Sequence, residues 1–208
     1  MEIANLIQQK NNQPLVIILT GPSGVGKDAA LNELKKLDRQ WHFVVTTTTR
    51  SIRFNEIDGK DYMFVSPEEF QKTLEQNGFL EYAQVYDKWY GVPKNQVTEP
   101  ISKGKDVILK VDVQGAATIK SLIPSAISIF MIPGSMSDLE HRLTSRMTES
   151  ENQLNLRLEV AKTELEQINN FEYYIINSED NLDGAVEQID KIITVEKARL
   201  NRPPFTIH

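Results

Sequence analysis

The 208-residue sequence contains no cysteine and only three histidines. Without cysteine, disulfide bonds, thiol catalysis and Cys-ligated metals are excluded. His42, His141 and His208 are widely separated along the chain, which does not indicate a histidine-ligated metal site. No apolar run is long enough to span a bilayer, and residues 1–13 are polar, without the apolar segment of a signal peptide. We therefore expect a cytoplasmic protein that does not bind membranes.

Basic residues are also scarce relative to acidic ones. The chain has 23 Lys and Arg against 29 Asp and Glu, which gives a formal net charge of −6. Proteins that coat nucleic acid usually carry the opposite balance, so we do not expect nucleic acid as a partner. Any site for a polyanionic ligand must instead concentrate its Lys and Arg locally. The length is sufficient for one globular domain with a substantial core.

Short apolar segments alternate with helical patterns along most of the chain. Residues 15–19 are rich in β-branched side chains, which is typical of a strand buried on both faces of a parallel sheet. A helical pattern follows at residues 28–37. Further buried strands are predicted at residues 107–113, 127–132 and 173–176. This alternation predicts an α/β fold with a mostly parallel sheet.

Two segments depart from this alternation. Residues 47–93 contain short alternating runs, several aromatic residues and turn signals at Asp58-Gly59 and Asn77-Gly78, which together predict a small α+β insertion. Residues 137–169 are highly charged and helical. Their apolar residues recur every three or four positions, which predicts a packing face rather than a ligand site; these residues are Leu154, Leu158, Ala161, Leu165 and Ile168.

A phosphate-binding motif lies between the first predicted strand and helix. The residues Gly21-Pro22-Ser23-Gly24-Val25-Gly26-Lys27 match G-x-x-x-x-G-K, and this position is the context that the motif requires. The glycines let successive main-chain N–H groups converge on phosphate oxygens at a helix N-terminus. Lys27 supplies a positive charge for the terminal phosphates. The segment therefore predicts binding of a nucleoside triphosphate.

One position departs from this motif. Asp28 stands where Ser or Thr usually supplies a hydroxyl ligand to Mg²⁺. A carboxylate also binds Mg²⁺ well, so Asp28 is a candidate metal ligand. The alternative interpretation is a favourable carboxylate in the first turn of a helix.

Five further blocks follow the P-loop: Thr48-Thr49-Arg50-x-x-Arg53, Gly59-Lys60-Asp61-Tyr62-x-Phe64-Val65, Phe79-Leu80-Glu81-Tyr82-Ala83, Tyr90-Gly91 and Val111-Asp112-x-Gln114-Gly115. They occur in the order and at the spacing found in guanylate kinases, and the chain resembles that family from about residue 14 to residue 197. The resemblance implies transfer of a phosphoryl group from ATP to GMP, with Mg²⁺ as cofactor, by a monomer or a homodimer.

The resemblance also implies a division of the chain into functional parts. After an N-terminal tail at residues 1–13, a P-loop NTPase core comprises residues 14–46, 94–136 and 170–208. The α+β insertion, taken as residues 47–93, is the GMP-binding subdomain. Residues 137–169 form a lid over ATP.

For the acceptor, the resemblance assigns a phosphate site and a base site. The GMP phosphate is held by Arg50, Arg53, Tyr62 and Tyr90. Glu81 reads guanine, because a carboxylate accepts from the N1–H and the N2 amine together, and AMP would leave it unpaired. Thr46 and Asp112 also contact the base.

For the donor, the resemblance assigns the seven P-loop residues, Asp28 and Asn177, the last of them near adenine. The catalytic charges implied are Lys27 and four arginines, which neutralise the transferring phosphoryl group: Arg50, Arg142, Arg146 and Arg157. The nucleophile is an ionised phosphate oxygen of GMP, so no general base is needed.

Four departures from the family pattern carry predictions of their own. Val92 replaces a serine hydroxyl at the base, which predicts a lower affinity for GMP, and Met147 replaces a lid glycine, which predicts a stiffer hinge. Lys110 stands where the family commonly has Asp, and Asp28 is the fourth departure. Because the strand with Lys110 should lie near the P-loop strand, we expect Lys110 and Asp28 to be a coupled pair of changes.

Two other functions compete with this interpretation. A catalytically silent guanylate-kinase-like module would bind a protein partner, but such modules usually lose the phosphate cradle and the lid arginines. A related kinase could act on another phosphorylated acceptor, such as a ribose phosphate. Each residue taken alone also has an ordinary structural interpretation, as a surface cation, a strand carboxylate, a core aromatic or a cap.

Overall fold

The computed structural model describes residues 13–85, 87–144 and 151–208, with side chains in the last range from residue 154 onward. Arg146 and Met147, for which the sequence predicts lid functions, lie outside the described residues. The elements follow in the order β1 (Val16–Thr20), α1 (Lys27–Leu34), β2 (Trp41–Phe43), β3 (Thr47–Thr48), β4 (Met63–Phe64), α2 (Pro67–Glu75), β5 (Phe79–Val85), β6 (Lys88–Pro93), α3 (Asn95–Ser102), β7 (Asp106–Lys110), α4 (Val113–Leu122), β8 (Ile127–Pro133), α5 (Met136–Thr144), α6 (Glu151–Leu165), a 3₁₀ helix (Glu166–Asn170), β9 (Tyr173–Asn177) and α7 (Leu182–Lys197).

The central sheet has five strands in the order β2-β7-β1-β8-β9. Every neighbouring pair in it is parallel, which confirms the α/β prediction. All five residues of β1 are buried, because helices cover both faces of the sheet. Apolar residues of α1 and α7 pack on one face, and those of α3 and α4 pack on the other.

Two of the predicted element boundaries were wrong. The predicted strand at residues 107–113 ends at Lys110, and Val113 already begins α4. Asp112 is the N-cap residue of α4, and its Oδ1 accepts a hydrogen bond from the Gly115 N–H at 2.7 Å. The β-branched residues that continue past Lys110 concealed this cap in the sequence. The helix predicted at residues 28–37 ends at Leu34.

The insertion forms a second sheet of four strands in the order β4-β3-β6-β5, with α2 beside it. It is a mixed sheet, since β3 pairs parallel with β4 but antiparallel with β6. Leu80 and Val92 of this sheet are buried in the same apolar cluster as α3 and α4. The insertion is therefore anchored to the core next to the end of β7.

The predicted apolar stripe of the charged segment is confirmed in part, through Leu154, Leu158 and Ala161, whereas Ile168 lies in the 3₁₀ helix beyond the end of α6. Leu139 and Leu143 of α5 form a small cluster with Ala161 of α6, flanked by Leu154 and Leu158. This cluster holds α6 against α5, beside the P-loop. Among the described residues, no helix combines the length and the apolar character that crossing a bilayer requires.

Candidate active site

The predicted phosphate cradle connects β1 to α1 at the carboxyl edge of the central sheet. Gly21 and Gly26 have φ angles of 137° and 101°, which side chains rarely tolerate. A Cβ atom at Gly21 would collide with the carbonyl oxygen of Met131, and one at Gly26 would collide with the Asn177 amide. The glycine spacing therefore reflects both backbone conformation and close contacts with neighbouring elements.

The Lys27 ammonium group lies inside this loop. It donates hydrogen bonds to the main-chain oxygens of Gly21 and Pro22, the second at 2.9 Å. Burial lowers the pKa of Lys27 to about 8, an effect that Glu164 opposes and Lys110 reinforces. A phosphate that binds beside Lys27 would stabilise the charged ammonium form, which burial disfavours.

A carboxylate of α6 reaches the same loop. Glu164, near the end of α6, accepts a hydrogen bond from the Ser23 N–H, with 3.3 Å between nitrogen and Oε2. Burial raises the pKa of Glu164, and Lys27 partly offsets this. The sequence analysis did not single out Glu164. The available signal was its spacing, because Glu164 lies seven residues after Arg157 and therefore shares its helix face.

The proposed lid arginines are only partly defined by the structure. Arg142 of α5 donates a hydrogen bond to the Val25 carbonyl oxygen at 3.0 Å, so it lies on the cradle. Arg157 is half-buried on α6, on the helix face that brings Glu164 to Ser23.

Asn177 lies at the edge of a cleft next to the cradle. Its Nδ2 donates to the Val25 carbonyl at 2.7 Å. Its buried Oδ1 has no hydrogen-bond partner among the described residues. The cleft has a volume of about 480 Å³ and runs from Gly24 and Gly26 to Leu182 and Asp183 at the start of α7. A buried, unpaired acceptor is costly, and a ligand amine in this cleft would satisfy it.

On the insertion side, Arg50 is held between a carboxylate and two aromatic rings. Its guanidinium donates two hydrogen bonds to Glu56, at 2.8 and 2.7 Å, and stacks over Tyr62 and Phe64. Burial disfavours the charged form of Arg50, but the hydrogen bonds and the charge of the Glu56 carboxylate outweigh burial and raise the pKa of Arg50. Glu56 was missed by the sequence analysis. Arg53 is exposed, and its main-chain N–H also donates to Glu56.

Tyr62 and Tyr90 meet beside Arg50. Their ring centroids are 6.1 Å apart in an edge-to-face arrangement. Tyr90 lies opposite Thr48 in the sheet, and the Tyr62 hydroxyl accepts a hydrogen bond from Lys110 at 2.9 Å. The predicted residues for the acceptor phosphate are thus neighbours, except that the Arg53 side chain points to solvent.

Glu81 is a buried carboxylate at the junction of the two sheets. Its residue is 7% exposed, and burial together with the Asp112 charge raises its pKa to about 7. A Cβ atom at Gly115 would come within 3.1 Å of the Glu81 carboxylate, so the glycine makes room for it. Val92 pairs with Glu81 across the sheet and is completely buried. Thr46, another of the predicted base contacts, is also buried.

The predicted pairing of Lys110 with Asp28 is confirmed. The Lys110 ammonium donates a hydrogen bond to Asp28 Oδ1. This contact joins the end of β7 to the first turn of α1, as the adjacency of β7 and β1 requires. Residues 13–85, 87–144 and 154–208 contain no group of three or more His, Asp or Glu side chains that could hold a metal ion.

Comparison with known proteins identifies the family. The family model described as guanylate kinase matches residues 13–196. A guanylate kinase 2 of Oryza sativa, described as chloroplastic/mitochondrial, is 46% identical over 196 residues, which are 94% of this chain and 69% of the relative. The guanylate kinase of Clostridium tetani is 44% identical over 188 residues, covering 90% of this chain and 89% of that protein. The crystal structure of guanylate kinase from Anaplasma phagocytophilum has a TM-score of 0.75 at 27% identity, covering 89% of this chain and 87% of that one. The chain belongs to the guanylate kinase family.

Proposed function

We propose that this protein transfers the γ-phosphoryl group of ATP to GMP, giving ADP and GDP. The observation that carries the proposal is the buried Glu81 carboxylate, which faces Gly115 of α4 at the junction of the two sheets. A phosphate cradle alone is common to many nucleotide-binding proteins. A buried carboxylate beside a cluster of Arg and Tyr residues is specific to an acceptor that has both a base with donors and a phosphate.

Glu81 selects the base in this proposal. The ionised carboxylate accepts from the guanine N1–H and N2 amine, and the hydrogen bonds compensate for its burial. Adenine has no donor at the corresponding positions, so AMP would leave a buried charge unpaired. Thr46 and Asp112 contribute the remaining base contacts, and Val92 closes the site with an apolar wall.

The acceptor phosphate binds to Arg50, Tyr62 and Tyr90. Glu56 fixes the Arg50 guanidinium in place, and the aromatic rings support its planar face. Arg53 is exposed in the same loop and is the residue that moves onto the phosphate when GMP binds.

The donor nucleotide binds in the cradle and the adjoining cleft. Main-chain N–H groups of residues 23–27 hold its phosphates, and Lys27 turns from the loop carbonyls to the terminal phosphates. The buried Oδ1 of Asn177 accepts from the 6-amino group of adenine. Guanine has a carbonyl at that position, so the same atom favours ATP over GTP as the donor.

In the reaction, a phosphate oxygen of GMP attacks the γ-phosphorus in line with the leaving ADP. A bond forms between this oxygen and the γ-phosphorus, and the bond to the β–γ bridging oxygen breaks, with its electron pair leaving on ADP. Lys27, Arg142, Arg146 and Arg157 neutralise the transferring group. We propose that the three arginines act from a lid of residues 137–169 and Lys27 from the core, which comprises residues 14–46, 94–136 and 170–208, and that residues 47–93 form the GMP-binding subdomain.

Kinases of this family act with a divalent metal ion, and we propose Mg²⁺ in this protein. Mg²⁺ binds through one or two carboxylates together with substrate phosphates and waters, so a larger acidic cluster is not required. Asp28 fits this requirement, since its carboxylate follows Lys27 directly and its side chain is 64% exposed. The ion would neutralise phosphate charge and orient the donor phosphates.

The test is ADP formation from ATP and Mg²⁺ with GMP, with AMP and without acceptor. We expect turnover that depends on GMP. Equal ADP formation in all three reactions, or none in any, would overturn the proposal. Binding of GMP without turnover would point instead to a silent binding module.

A further inference from the structure

Lys110 occupies a position between the two phosphate sites described above. It is the last residue of β7 and pairs in register with Leu19, two residues before the P-loop begins. Its ammonium group donates one hydrogen bond to Asp28, on the donor side, and one to the Tyr62 hydroxyl, on the acceptor side, the latter at 2.9 Å. It is therefore a direct side-chain link between the cradle and the acceptor site.

The contacts of Lys110 differ from those of a surface ion pair. Its side chain is 13% exposed, whereas that of Asp28 is 64% exposed. The ammonium group is thus withdrawn from solvent and faces the interior of the site. It also lies 4.5 Å from the centroid of the Tyr62 ring, whose other cationic neighbour is Arg50 at 5.2 Å.

Three cationic side chains lie around this point. Lys110 and Arg50 both lie over the Tyr62 ring, and Lys27 lies in the neighbouring P-loop. Asp28 and Glu56 hold Lys110 and Arg50 in place. An anion that binds between the two sites therefore meets donors that are already positioned for charge-assisted hydrogen bonds.

We propose that Lys110 is a further catalytic residue of the phosphoryl transfer, whose ammonium group contacts the transferring phosphoryl group between the donor and acceptor sites. This inference rests on the proposed function. Asp28 and Tyr62 hold the ammonium in position before the reaction, so its charge is preorganised. Pairing with Lys110 also offsets the negative charge that Asp28 would otherwise place near the ATP phosphates.

The contact between Lys110 and Asp28 accounts for the joint occurrence of these two departures from the family pattern. A lysine at residue 110 cannot serve as a metal ligand, whereas the aspartate common in the family can. A cation at the end of β7 and a carboxylate in the first turn of α1 keep the net charge of the pair at zero. The strand therefore contributes an ammonium donor that Asp28 holds in position.

The test compares Lys110→Met with Lys110→Arg, and uses Lys120→Met as the control for loss of a paired lysine elsewhere. Lys120, on α4, pairs with Glu172, just before β9, away from the two phosphate sites. We expect Lys110→Met to lower kcat roughly 100-fold while the Kd values of GMP alone and ATP alone, measured by calorimetry, change less than about threefold. Lys110→Arg keeps the charge and should recover part of kcat, and Lys120→Met should retain wild-type kcat.

A second readout does not depend on turnover. The complex of ADP, GMP and aluminium fluoride imitates the transferring phosphoryl group, so Lys110→Met should weaken its binding far more than the binding of GMP alone. Equal effects on both, or an unchanged kcat, would overturn the inference. If the wild-type protein itself does not phosphorylate GMP, the proposed function fails first.

Asp28→Asn provides a variant at an exposed position, where folding is not at risk. It removes the carboxylate that holds Lys110, so at saturating Mg²⁺, which compensates for the loss of a metal ligand, we expect a smaller loss of kcat, roughly tenfold. In the Asp28→Asn, Lys110→Met double variant the losses should not multiply, because Asp28 acts partly through Lys110. Fully multiplicative losses would contradict the role of Asp28 in holding the catalytic ammonium.

Discussion

The Glu164 carboxylate of α6 accepts a hydrogen bond from the Ser23 main-chain N–H of the P-loop, with 3.3 Å between the two atoms. The two residues are 141 positions apart in the chain. The N–H groups of this loop are the donors that bind phosphate in our proposal, and Glu164 also acts electrostatically on Lys27. A carboxylate of the proposed lid therefore competes with the donor nucleotide for the same loop.

Replacing Glu164 by Gln should strengthen ATP binding. The substitution removes a negative charge that an incoming phosphate must displace, so we expect the Kd for ATP to fall roughly threefold to tenfold, or about 1 kcal/mol. Calorimetric titration with ATP measures this, and the Kd for GMP should not change. Glu159→Gln, at an exposed position of the same helix paired with Lys162, is the matched control. Weaker ATP binding in Glu164→Gln would show that the carboxylate supports the cradle instead.

ATP binding should take up a proton at alkaline pH. The pKa of Lys27 is lowered to about 8 by burial, and the phosphates bind its charged form. Above about pH 8 the neutral amine must gain a proton on binding, so ATP affinity should fall roughly tenfold per pH unit. ATP is fully ionised in this range and does not obscure the effect.

Titrations of ATP with EDTA, in buffers of different ionisation enthalpy, measure the proton uptake between pH 7 and 9.5. Lys27→Met should bind ATP weakly, with no uptake in this range. An affinity that is constant with pH in the wild-type protein would contradict this account of Lys27.

Replacing Glu81 by Gln should stabilise the fold at alkaline pH. The pKa of Glu81 rises from 4.5 to about 7 on folding, so the folded protein holds a proton that the unfolded chain has released. The free energy of unfolding therefore falls as pH rises from about 4.5 to 7, and the full cost remains above pH 7. Glu81→Gln removes this cost, and we expect it to raise the free energy of unfolding by roughly 1–3 kcal/mol at pH 8.

Urea denaturation at pH 8 and at pH 5 separates this effect from ordinary packing changes. The gain should shrink at pH 5, where Glu81 is largely protonated in the folded protein. Glu75→Gln, at an exposed position of the same insertion, should show little change at either pH. An equal gain at both pH values would contradict the titration of Glu81.

Local patterns were sufficient to predict the cradle and the parallel sheet. The prediction of the P-loop rests on closely spaced glycines after a buried strand. The prediction of the sheet rests on apolar runs that can be recognised without knowing which strands pair. The pairing of Lys110 with Asp28 was also predictable, because parallel strands bring their carboxyl ends to one edge of a sheet. In each case the residue types and the secondary structure predicted for them were enough to place the residues together.

Contacts between distant segments were not predictable in the same way. Glu164 depends on how α6 packs against the P-loop, and Glu56 depends on the path of the loop around Arg50. Gly115 leaves room for the Glu81 carboxylate because α4 packs against it, a contact that the sequence alone does not show. Tertiary packing determines such contacts. In the sequence, Glu56 and Glu164 look the same as the many carboxylates that remain exposed on the surface.

The central claim is that Glu81 directs phosphoryl transfer from ATP to GMP. The most direct test is the ratio of kcat/KM for GMP to that for AMP in the wild-type protein and in Glu81→Gln. We predict a ratio of at least roughly 10⁴ in the wild-type protein, and a ratio roughly 100-fold lower in the variant, because the amide can accept from only one of the two guanine donors. A wild-type ratio near one, or a high ratio that Glu81→Gln leaves unchanged, would contradict the account.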